Sequence, residues 1–174
     1  MLFRSSPERR ANDVIRAAVQ WLEDQKELPF FCWIHLNDPH TPYDPPEPFR
    51  SRYSDRLYDG EVAFADASLS SLLETLERKQ WYDRIVFVAT GDHGESLGEH
   101  GESTHGYFVY ESTLHVPLLL KLPRQKSKGG RMDIPVSLID VAPTLLALCG
   151  EKADLPGVDL TRVSETRQIG RAHV

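Results

Sequence analysis

Long apolar runs and clusters of basic residues are both missing from this chain of 174 residues. No stretch approaches the ~20 consecutive apolar residues that a membrane-spanning helix needs. The start, MLFRSSPERRANDVIRAAVQWLED, lacks the continuous apolar segment of a signal peptide. The net charge is -6, and the clustered Lys and Arg that neutralise nucleic-acid phosphates are absent. We therefore predict no membrane span and no nucleic-acid partner.

Cysteine is scarce as well. Cys32 and Cys149 are the two cysteines, and each stands in an apolar run, PFFCWIHL and TLLALCG. Two distant cysteines are too few for a metal knuckle, and a small apolar thiol is common in protein cores. We expect both to be buried free thiols.

What the chain does contain is an alternation of helical and strand patterns. The predicted helices cover residues 11–26, 60–83 and 135–150, the last with Pro143 in an early turn and Gly150 as its C-cap. The predicted buried strands cover residues 29–36, 84–90 and 115–123. On the second helix the expected buried face consists of Val62, Ala65, Leu69, Leu72, Leu73 and Leu76. Such alternation is typical of an α/β fold with a largely parallel sheet.

Prolines are concentrated in one segment after the first predicted strand. Five of them fall between Pro39 and Pro48. Because proline lacks a backbone N–H and fixes φ, this density disfavours both helix and inner strand. The sequence predicts an extended surface loop here.

Polar side chains with metal-binding capacity follow two of the predicted strands. Asn37 to His40 follow the first, and Asp92 with His93 follow the second, inside the segment TGDHGESLGEHGESTHGY. Ligands of open α/β sheets bind outside the carboxyl ends of the strands. We expect His40, Asp92, His93 and His105 to converge there, at the edge of one sheet.

The GDHG sequence favours a metal ligand pair. Gly91 and Gly94 flank Asp92 and His93 and permit a sharp turn after the strand. Oxygen and nitrogen ligands together suit zinc, manganese, magnesium or calcium. The alternative is a turn whose side chains are simply solvated.

Four separate segments closely resemble the sulfatase family of the alkaline phosphatase superfamily. They are PFFCWIHLNDPHTPYDPP, YDGEVAFADASLSSLL, the stretch from IVFVATGDHG to HVPLLLKLP, and VSLIDVAPTLLALCG. The resemblance implies an α/β three-layer sandwich with a mainly parallel sheet, which this chain would form in part. It also implies metal-dependent hydrolysis of sulfate esters, with calcium as the usual cation and a formylglycine nucleophile made from cysteine or serine.

The resemblance assigns roles position by position. Asp92 and His93 match the second pair of metal ligands, in an Asp-His version similar to that of phosphonate monoesterases and related sulfatases. His40 matches the histidine that contacts the sulfuryl group and assists the leaving oxygen. His105 stands where the family has a Lys or His that reaches the ester oxygens. His35 and His115 are expected to be structural, and His100 has no firm counterpart.

The chain departs from the family in what it lacks. The C/S-x-P-S/A-x-R nucleophile segment and the upstream aspartate pair are not in the sequence, and neither cysteine has that context. We therefore interpret residues 1–163 as the C-terminal portion of a sulfatase-like catalytic domain and 164–174 as a tail. Residues 168–174, QIGRAHV, back-translate to a common sequencing adapter and are expected to be foreign.

Three functions stay open at this point. The first is a sulfuric ester hydrolase whose substrate is a sulfated small molecule or glycan. The second is a phosphoric or phosphonate ester hydrolase, or a phosphoethanolamine-type transferase, of the same superfamily. The third is a non-catalytic chain that binds a cation or anion, because displacement without a nucleophile loses most of its rate.

Overall fold

The computed structural model describes the side chains and backbone of residues 9–124, 129–152 and 154–163 and the backbone of residues 2–4. The predicted tail, from residue 164 onward, lies outside these ranges. The chain divides into two compact units, residues 1–85 and 86–174. Each unit is described by itself.

The first unit is built on two long helices. In chain order it contains β1 (Leu2–Arg4), α1 (Ala11–Asp24), β2 (Trp33–His35), α2 (Phe49–Arg52), α3 (Leu57–Arg78) and a 3-10 turn at Tyr82–Arg84. α1 and α3 pack against each other. The buried side chains of α1 recur every three or four residues, at Ala11, Val14, Ile15, Ala18 and Leu22. The predicted helix is thus confirmed, ending two residues earlier than expected.

Three aromatic side chains of this unit pack at the end of α1 and α3. Phe30 meets Trp21 edge-on at 5.5 Å between ring centroids and lies 5.5 Å from Trp81. The Lys79 ammonium stands 4.5 Å from the centre of the Trp81 ring and donates to the carbonyl of Gln25 at 3.0 Å. These contacts fix the chain that leaves α1 against the end of α3.

The strand prediction for residues 29–36 needs correction. β2 spans only Trp33–His35 and pairs in parallel with β1. It is not buried on both faces, because Trp33 is 58% exposed and Phe31 is exposed as well. α1 packs against this two-stranded sheet. In β2 the exposed Trp33 and His35 flank the less exposed Ile34, as in a sheet with one covered face.

The proline-rich segment is a loop, as predicted, and a short helix follows it directly. α2 begins directly after Pro48, the last proline of the cluster. Downstream of that residue the backbone N–H groups are available again, and Arg52 and Tyr53 donate theirs to the carbonyls of Pro48 and Phe49. The helix therefore starts where the proline constraint ends.

The second unit contains a hairpin-like pair of strands and a helix. Its elements are β3 (Phe87–Thr90), a 3-10 turn at Glu99–Gly101, α4 (Glu111–Leu114), β4 (Leu118–Lys121), a 3-10 turn at Leu138–Asp140, α5 (Val141–Leu148) and a 3-10 turn at Leu160–Arg162. Val88, Leu118 and Leu120 of the strands and Val141 and Leu145 of α5 line one small void of about 10 Å³. α5 therefore packs on one face of this sheet.

β3 and β4 pair antiparallel, with Phe87 opposite Lys121 and Thr90 opposite Leu118. This pair differs from the largely parallel sheet that the sequence predicts. A parallel pair needs a crossover long enough to return the chain to the same end of the sheet. Residues 91–117 contain only a 3-10 turn and the four-residue α4, and not the crossover helix that usually joins neighbouring parallel strands. Among the described residues, β1 pairs with β2 and β3 pairs with β4.

The end of α5 follows the prediction for Gly150. This glycine has φ +81°, and its N–H donates to the carbonyl of Ala147 while the next N–H, of Glu151, donates to Leu146. This is the Schellman arrangement that ends helices at a left-handed glycine. Pro143 stands in the first turn, also as expected.

The prediction that both cysteines are buried is wrong for Cys149. This residue caps the exposed end of α5 and is itself exposed, whereas Cys32 is half-buried. Burial raises the pKa of the Cys32 thiol, which keeps it protonated and poorly reactive. Within the described residues, no helix combines the length and apolar character required to cross a membrane.

The buried face of α3 also differs from the predicted one. Val62 is 43% exposed, whereas Phe64, Ser68, Leu72, Thr75 and Leu76 are buried. The face that meets α1 is rotated from the most apolar stripe, because it includes two small hydroxyl side chains that bond back to their own helix. Ser68 donates to the Phe64 carbonyl at 2.8 Å, and Thr75 donates to the Ser71 carbonyl at 2.8 Å.

This difference is measurable by truncation. Leu72 is 3% exposed, so Leu72→Ala is expected to lower the free energy of unfolding in urea by about 2–5 kcal/mol. The matched variant Val62→Ala on the same helix should change it by less than about 0.5 kcal/mol. Equal losses would show that Val62 is part of the core after all.

Candidate metal and catalytic site

Asp92 and His93 leave the end of β3 as an exposed pair of side chains. The Asp92 carboxylate, 75% exposed, has Oδ1 3.8 Å from Nε2 of His93. The same oxygen accepts the backbone N–H of His93 at 3.0 Å. Two ligands of one cation are themselves roughly 3–4 Å apart, given bonds of 2.0–2.6 Å. The pair therefore has the spacing of two neighbouring ligands.

The hydrogen bonds of His93 determine which nitrogen it offers. Nδ1 lies 2.8 Å from the carbonyl oxygen of Gly94. A carbonyl only accepts, so Nδ1 carries the proton and the lone pair of the neutral ring is on Nε2. That nitrogen is the one that faces Asp92, and this arrangement matches a histidine metal ligand oriented by a carbonyl.

His105 is oriented by a carboxylate instead. Its Nδ1 lies 3.1 Å from Oε1 and 3.3 Å from Oε2 of Glu95. The Glu95 side chain is only 6% exposed, which restricts its rotamers and protects the pair from water. Glu95 thus holds His105 with the proton on Nδ1 and Nε2 directed away from the carboxylate. Sequence reasoning did not single out Glu95, although it stands two residues after His93.

The second unit brings three of the four predicted site residues together. The rings of His93 and His105 lie 3.9 Å apart between centroids, at 30°. Asp92, His93 and His105, with Glu95 behind, therefore form one cluster beyond the end of β3. Their roles as metal ligands and catalytic groups stay predictions.

Gly94 allows the turn that carries this cluster to approach α4 closely. Its N–H donates to the Thr113 carbonyl at 2.8 Å. A Cβ on Gly94 would lie 2.1 Å from the carbonyl oxygen of Ser112, a distance that no side chain tolerates. Ser112 in turn shares a hydrogen bond of 2.9 Å with the buried hydroxyl of Ser96. Glycine is required at position 94 because of this close contact, and not because of its backbone φ angle.

His40 lies in the first unit, on the proline-rich loop. Its Nδ1 is 2.6 Å from the carbonyl oxygen of Thr41, so this ring too is protonated on Nδ1. The backbone N–H of His40 donates to Oε2 of Glu61 at 3.0 Å, and that of Asp44 donates to Oε1 at 2.7 Å. Burial raises the pKa of Glu61 against the opposing effect of these two N–H groups.

Asp38 ties the loop to α1. Its Oδ2 accepts the N–H of Ala11, the first residue of that helix, at 2.8 Å. Burial raises the pKa of this carboxyl as well. Because His40 and the Asp92 cluster belong to different compact units, their convergence at one edge stays a prediction.

The remaining histidines named in the sequence differ in their surroundings. His35 is exposed on β2, and His115 is exposed with Nδ1 3.9 Å from Glu111. His100 has a left-handed backbone, with φ +57°, and stacks on Tyr110 at 4.0 Å between ring centroids. His100 therefore contributes to the packing of the 91–117 segment.

The donor set fits a hard or borderline cation, but only in part. Asp92 offers carboxylate oxygen and His93 offers Nε2. Across the described ranges, no group of three or more His, Cys, Asp or Glu side chains is arranged to hold a metal ion. Among the described residues, Asp92 and His93 are the two candidate ligands.

The contact at Gly94 predicts a specific sensitivity. Gly94→Ala is expected to lower the free energy of unfolding by about 1–3 kcal/mol and to shift the His93 and His105 ring signals in NMR spectra, because the turn must move off Ser112. Gly129→Ala is the control, since a Cβ there meets nothing within 4 Å. A folded Gly94→Ala variant with wild-type stability and ring signals would refute the close contact.

Comparison with known proteins gives a consistent result. A family model described as Sulfatase matches residues 4–151. The uncharacterized sulfatase YidJ of Escherichia coli K12 is 25% identical over 91% of this chain and 40% of its own length. The crystal structure of Ps i-CgsB in complex with k-i-k-neocarrahexaose aligns with a TM-score of 0.72 and 27% identity, over 86% of this chain and 37% of that one.

A phosphonate monoester hydrolase of Agrobacterium radiobacter has the same fold. Its structure aligns with a TM-score of 0.80 and 18% identity over 94% of this chain and 44% of that protein. The predicted α/β fold of the alkaline phosphatase and sulfatase type is confirmed by these structures. The chain spans well under half the length of each of these relatives. From the match over residues 4–151, the chain belongs to the sulfatase family.

Proposed function

We propose that a protein containing this chain hydrolyses sulfate esters with the help of a divalent cation. The observation that carries the proposal is the cluster of Asp92, His93, His105 and Glu95 beyond the end of β3, in a chain of the sulfatase family. A carboxylate and an imidazole at ligand spacing stand beside a second imidazole that is oriented by a buried carboxylate. Such convergence is typical of sites that stabilise developing negative charge.

Asp92 and His93 would hold the cation. The sulfatase family generally uses a divalent metal ion, and we propose calcium, with manganese, magnesium or zinc as alternatives. When bound, such an ion supplies a Lewis acid that neutralises charge on the ester oxygens and the nucleophile. His93 is already oriented for this role, since its Nδ1–H donates to Gly94 and leaves Nε2 as the ligand atom.

His105 would bind the oxygens of the substrate through Nε2. Glu95 accepts the Nδ1 proton and fixes the ring plane, so the second nitrogen points in a defined direction. When the ring is protonated, Nε2–H donates to a sulfate or ester oxygen. Preorganised donors of this kind stabilise charge without reorganisation during the reaction.

His40 would assist departure of the leaving oxygen. Its Nδ1 proton is committed to the Thr41 carbonyl, so Nε2 donates only in the imidazolium form. The protonated ring transfers or shares its Nε2 proton as the ester S–O bond breaks. The nucleophile for this displacement is not part of the sequence, because C/S-x-P-S/A-x-R does not occur in it.

We propose a sulfated glycan as the substrate class. The support is Ps i-CgsB, a 27% identical neighbour that was solved with k-i-k-neocarrahexaose. A sulfated small molecule is the alternative. Fold similarity alone does not choose between them.

A phosphonate or phosphate ester is the second candidate reaction, because the Asp-His form of the ligand pair resembles that of phosphonate monoesterases as well as that of related sulfatases. The Agrobacterium radiobacter phosphonate hydrolase shares the fold, but at 18% identity it supports nothing more. The nucleophile discriminates: cysteine in C-x-P-S-R favours a sulfatase, and a threonine or serine outside that context favours a phosphatase or transferase. A chain that only binds ions is the third candidate, and the metal and turnover measurements below separate it from the other two.

The proposed ligand pair predicts weak metal binding by the 174-residue chain. Two protein ligands leave most of a calcium shell, or two of four zinc positions, to water. Calorimetric titration with calcium should give a dissociation constant well above the micromolar range, and Asp92→Ala or His93→Ala should abolish the heat. Asp66→Ala, on the exposed side of α3, is the control and should bind as wild type. Submicromolar affinity that survives both ligand substitutions would place the metal elsewhere.

The missing nucleophile predicts that the 174-residue chain does not hydrolyse an aryl sulfate, even with calcium and a formylglycine-generating enzyme supplied. A longer protein that joins this chain to a formylglycine segment should turn over sulfate esters. In that protein His40→Ala should lower kcat with little change in KM, because its bond to the leaving group forms in the transition state. The loss should be larger for alkyl than for activated aryl sulfates, whose leaving groups need little help.

The exposed His115 provides the control for this measurement, and His115→Ala should leave kcat unchanged. Sulfate-ester turnover by the purified 174-residue chain, abolished by His40→Ala, would contradict the prediction. Preferential turnover of phosphonate esters by the longer protein would replace the first candidate reaction with the second. Metal binding without turnover of either ester would favour the third candidate, a chain that only binds ions.

A further inference from the structure

Glu61 is a charged residue on the buried face of a helix. It stands in the second turn of α3, is 5% exposed, and faces the proline-rich loop. A buried carboxylate requires hydrogen-bond donors to offset its lost hydration. Both of its oxygens have them, since Oε2 accepts from the His40 N–H and Oε1 accepts from the Asp44 N–H.

The loop has few other ways to hold its backbone. Five of the ten residues from Pro39 to Pro48 are prolines, which leaves five backbone N–H groups. Glu61 accepts two of those five. The two bonds bracket the segment from His40 to Asp44, so one side chain fixes the backbone at the proposed catalytic histidine and four residues beyond it.

The ion pairs of Asp44 are weaker constraints on the loop. The Asp44 carboxylate pairs with Arg10 at 3.1 Å and with Arg50 at 2.8 Å, but all three side chains are largely exposed. Exposed ion pairs contribute little to stability. The bonds to Glu61 are charge-assisted and shielded from water, which makes them the stronger pair.

The backbone of α3 approaches the loop so closely that the position of Glu61 is fixed. A Cβ on the preceding residue, Gly60, would lie 2.9 Å from Cγ of Pro45 and 3.2 Å from Cβ of Tyr53. Pro45 is itself fully buried. Glycine at this place lets the loop seat directly on the helix, with the carboxylate of the next residue beneath the two N–H groups.

We propose that Glu61 is a positioning residue for His40, acting through the backbone amides of His40 and Asp44. This inference rests on the proposed function of His40 in ester cleavage. The carboxylate does not touch substrate. It sets where the imidazole stands, and the bond from Nδ1 to the Thr41 carbonyl sets which way the ring faces.

The test uses the 174-residue chain labelled with ¹⁵N, and compares Glu61→Gln and Glu61→Ala with the control Glu74→Gln. Glu74 is an exposed glutamate of the same helix. Glu61→Ala should lower the hydrogen-exchange protection of the His40 and Asp44 amides by about tenfold or more, shift both amide signals upfield and move the His40 ring signals. Amides in the middle of α1 should keep wild-type protection, and Glu74→Gln should change none of these signals.

Glu61→Gln separates positioning from space-filling, because glutamine has nearly the same volume but only one acceptor oxygen. One of the two amides should lose its protection while the other keeps it. Wild-type protection and shifts at both amides in this variant would overturn the inference. If Glu61→Ala fails to fold, the protection and shifts of the two amides in Glu61→Gln alone decide the test. None of these readouts depends on turnover, so a failure of the proposed hydrolysis would appear in the activity measurements and leave the NMR result unaffected.

Discussion

Buried carboxylates that accept backbone N–H groups hold the loops of both units in place. Glu61 binds the amides of His40 and Asp44, and Asp140, fully buried, binds those of Ser137 and Val158 at 2.8 and 2.9 Å. In each case one side chain on or beside a helix satisfies two N–H groups of irregular backbone. Loop backbone that forms no strand or helix of its own is thereby hydrogen-bonded to the helix beside it.

The helices were predictable from the sequence because their burial repeats at the helical period, and α1 shows this most clearly. The buried face of α3 was not, since Ser68 and Thr75 are polar by type yet satisfy their hydroxyls within the helix and pack as small residues. The direction of the strands could not be predicted from the sequence either. The apolar runs predicted buried strands but did not fix their direction, and the antiparallel pairing of β3 with β4 is seen only in the structure.

The site residues that could be predicted from the sequence are those recognisable from their immediate sequence neighbours. Asp92 and His93 are adjacent, and glycines flank them. The residues that orient the histidines were missed, because the contact from Glu61 to His40 spans 21 residues and the one from Glu95 to His105 spans ten. For Glu61 the sequence did contain a clue. This glutamate follows a glycine and lies on the side of α3 that also carries Phe64. A glutamate on a buried helical face requires hydrogen-bond donors nearby.

The contact between Gly94 and the Ser112 carbonyl links two segments that are 18 residues apart. Neither backbone has room to move alone, so a larger residue at position 94 is acceptable only if α4 shifts with it. Such a shift would carry Tyr110, which precedes α4, and with it the packing of His100. The evolutionary consequence is that this turn and α4 must change together or not at all. In a family whose members share the turn, substitutions at these two places should therefore occur as pairs, while the exposed residues between them vary independently.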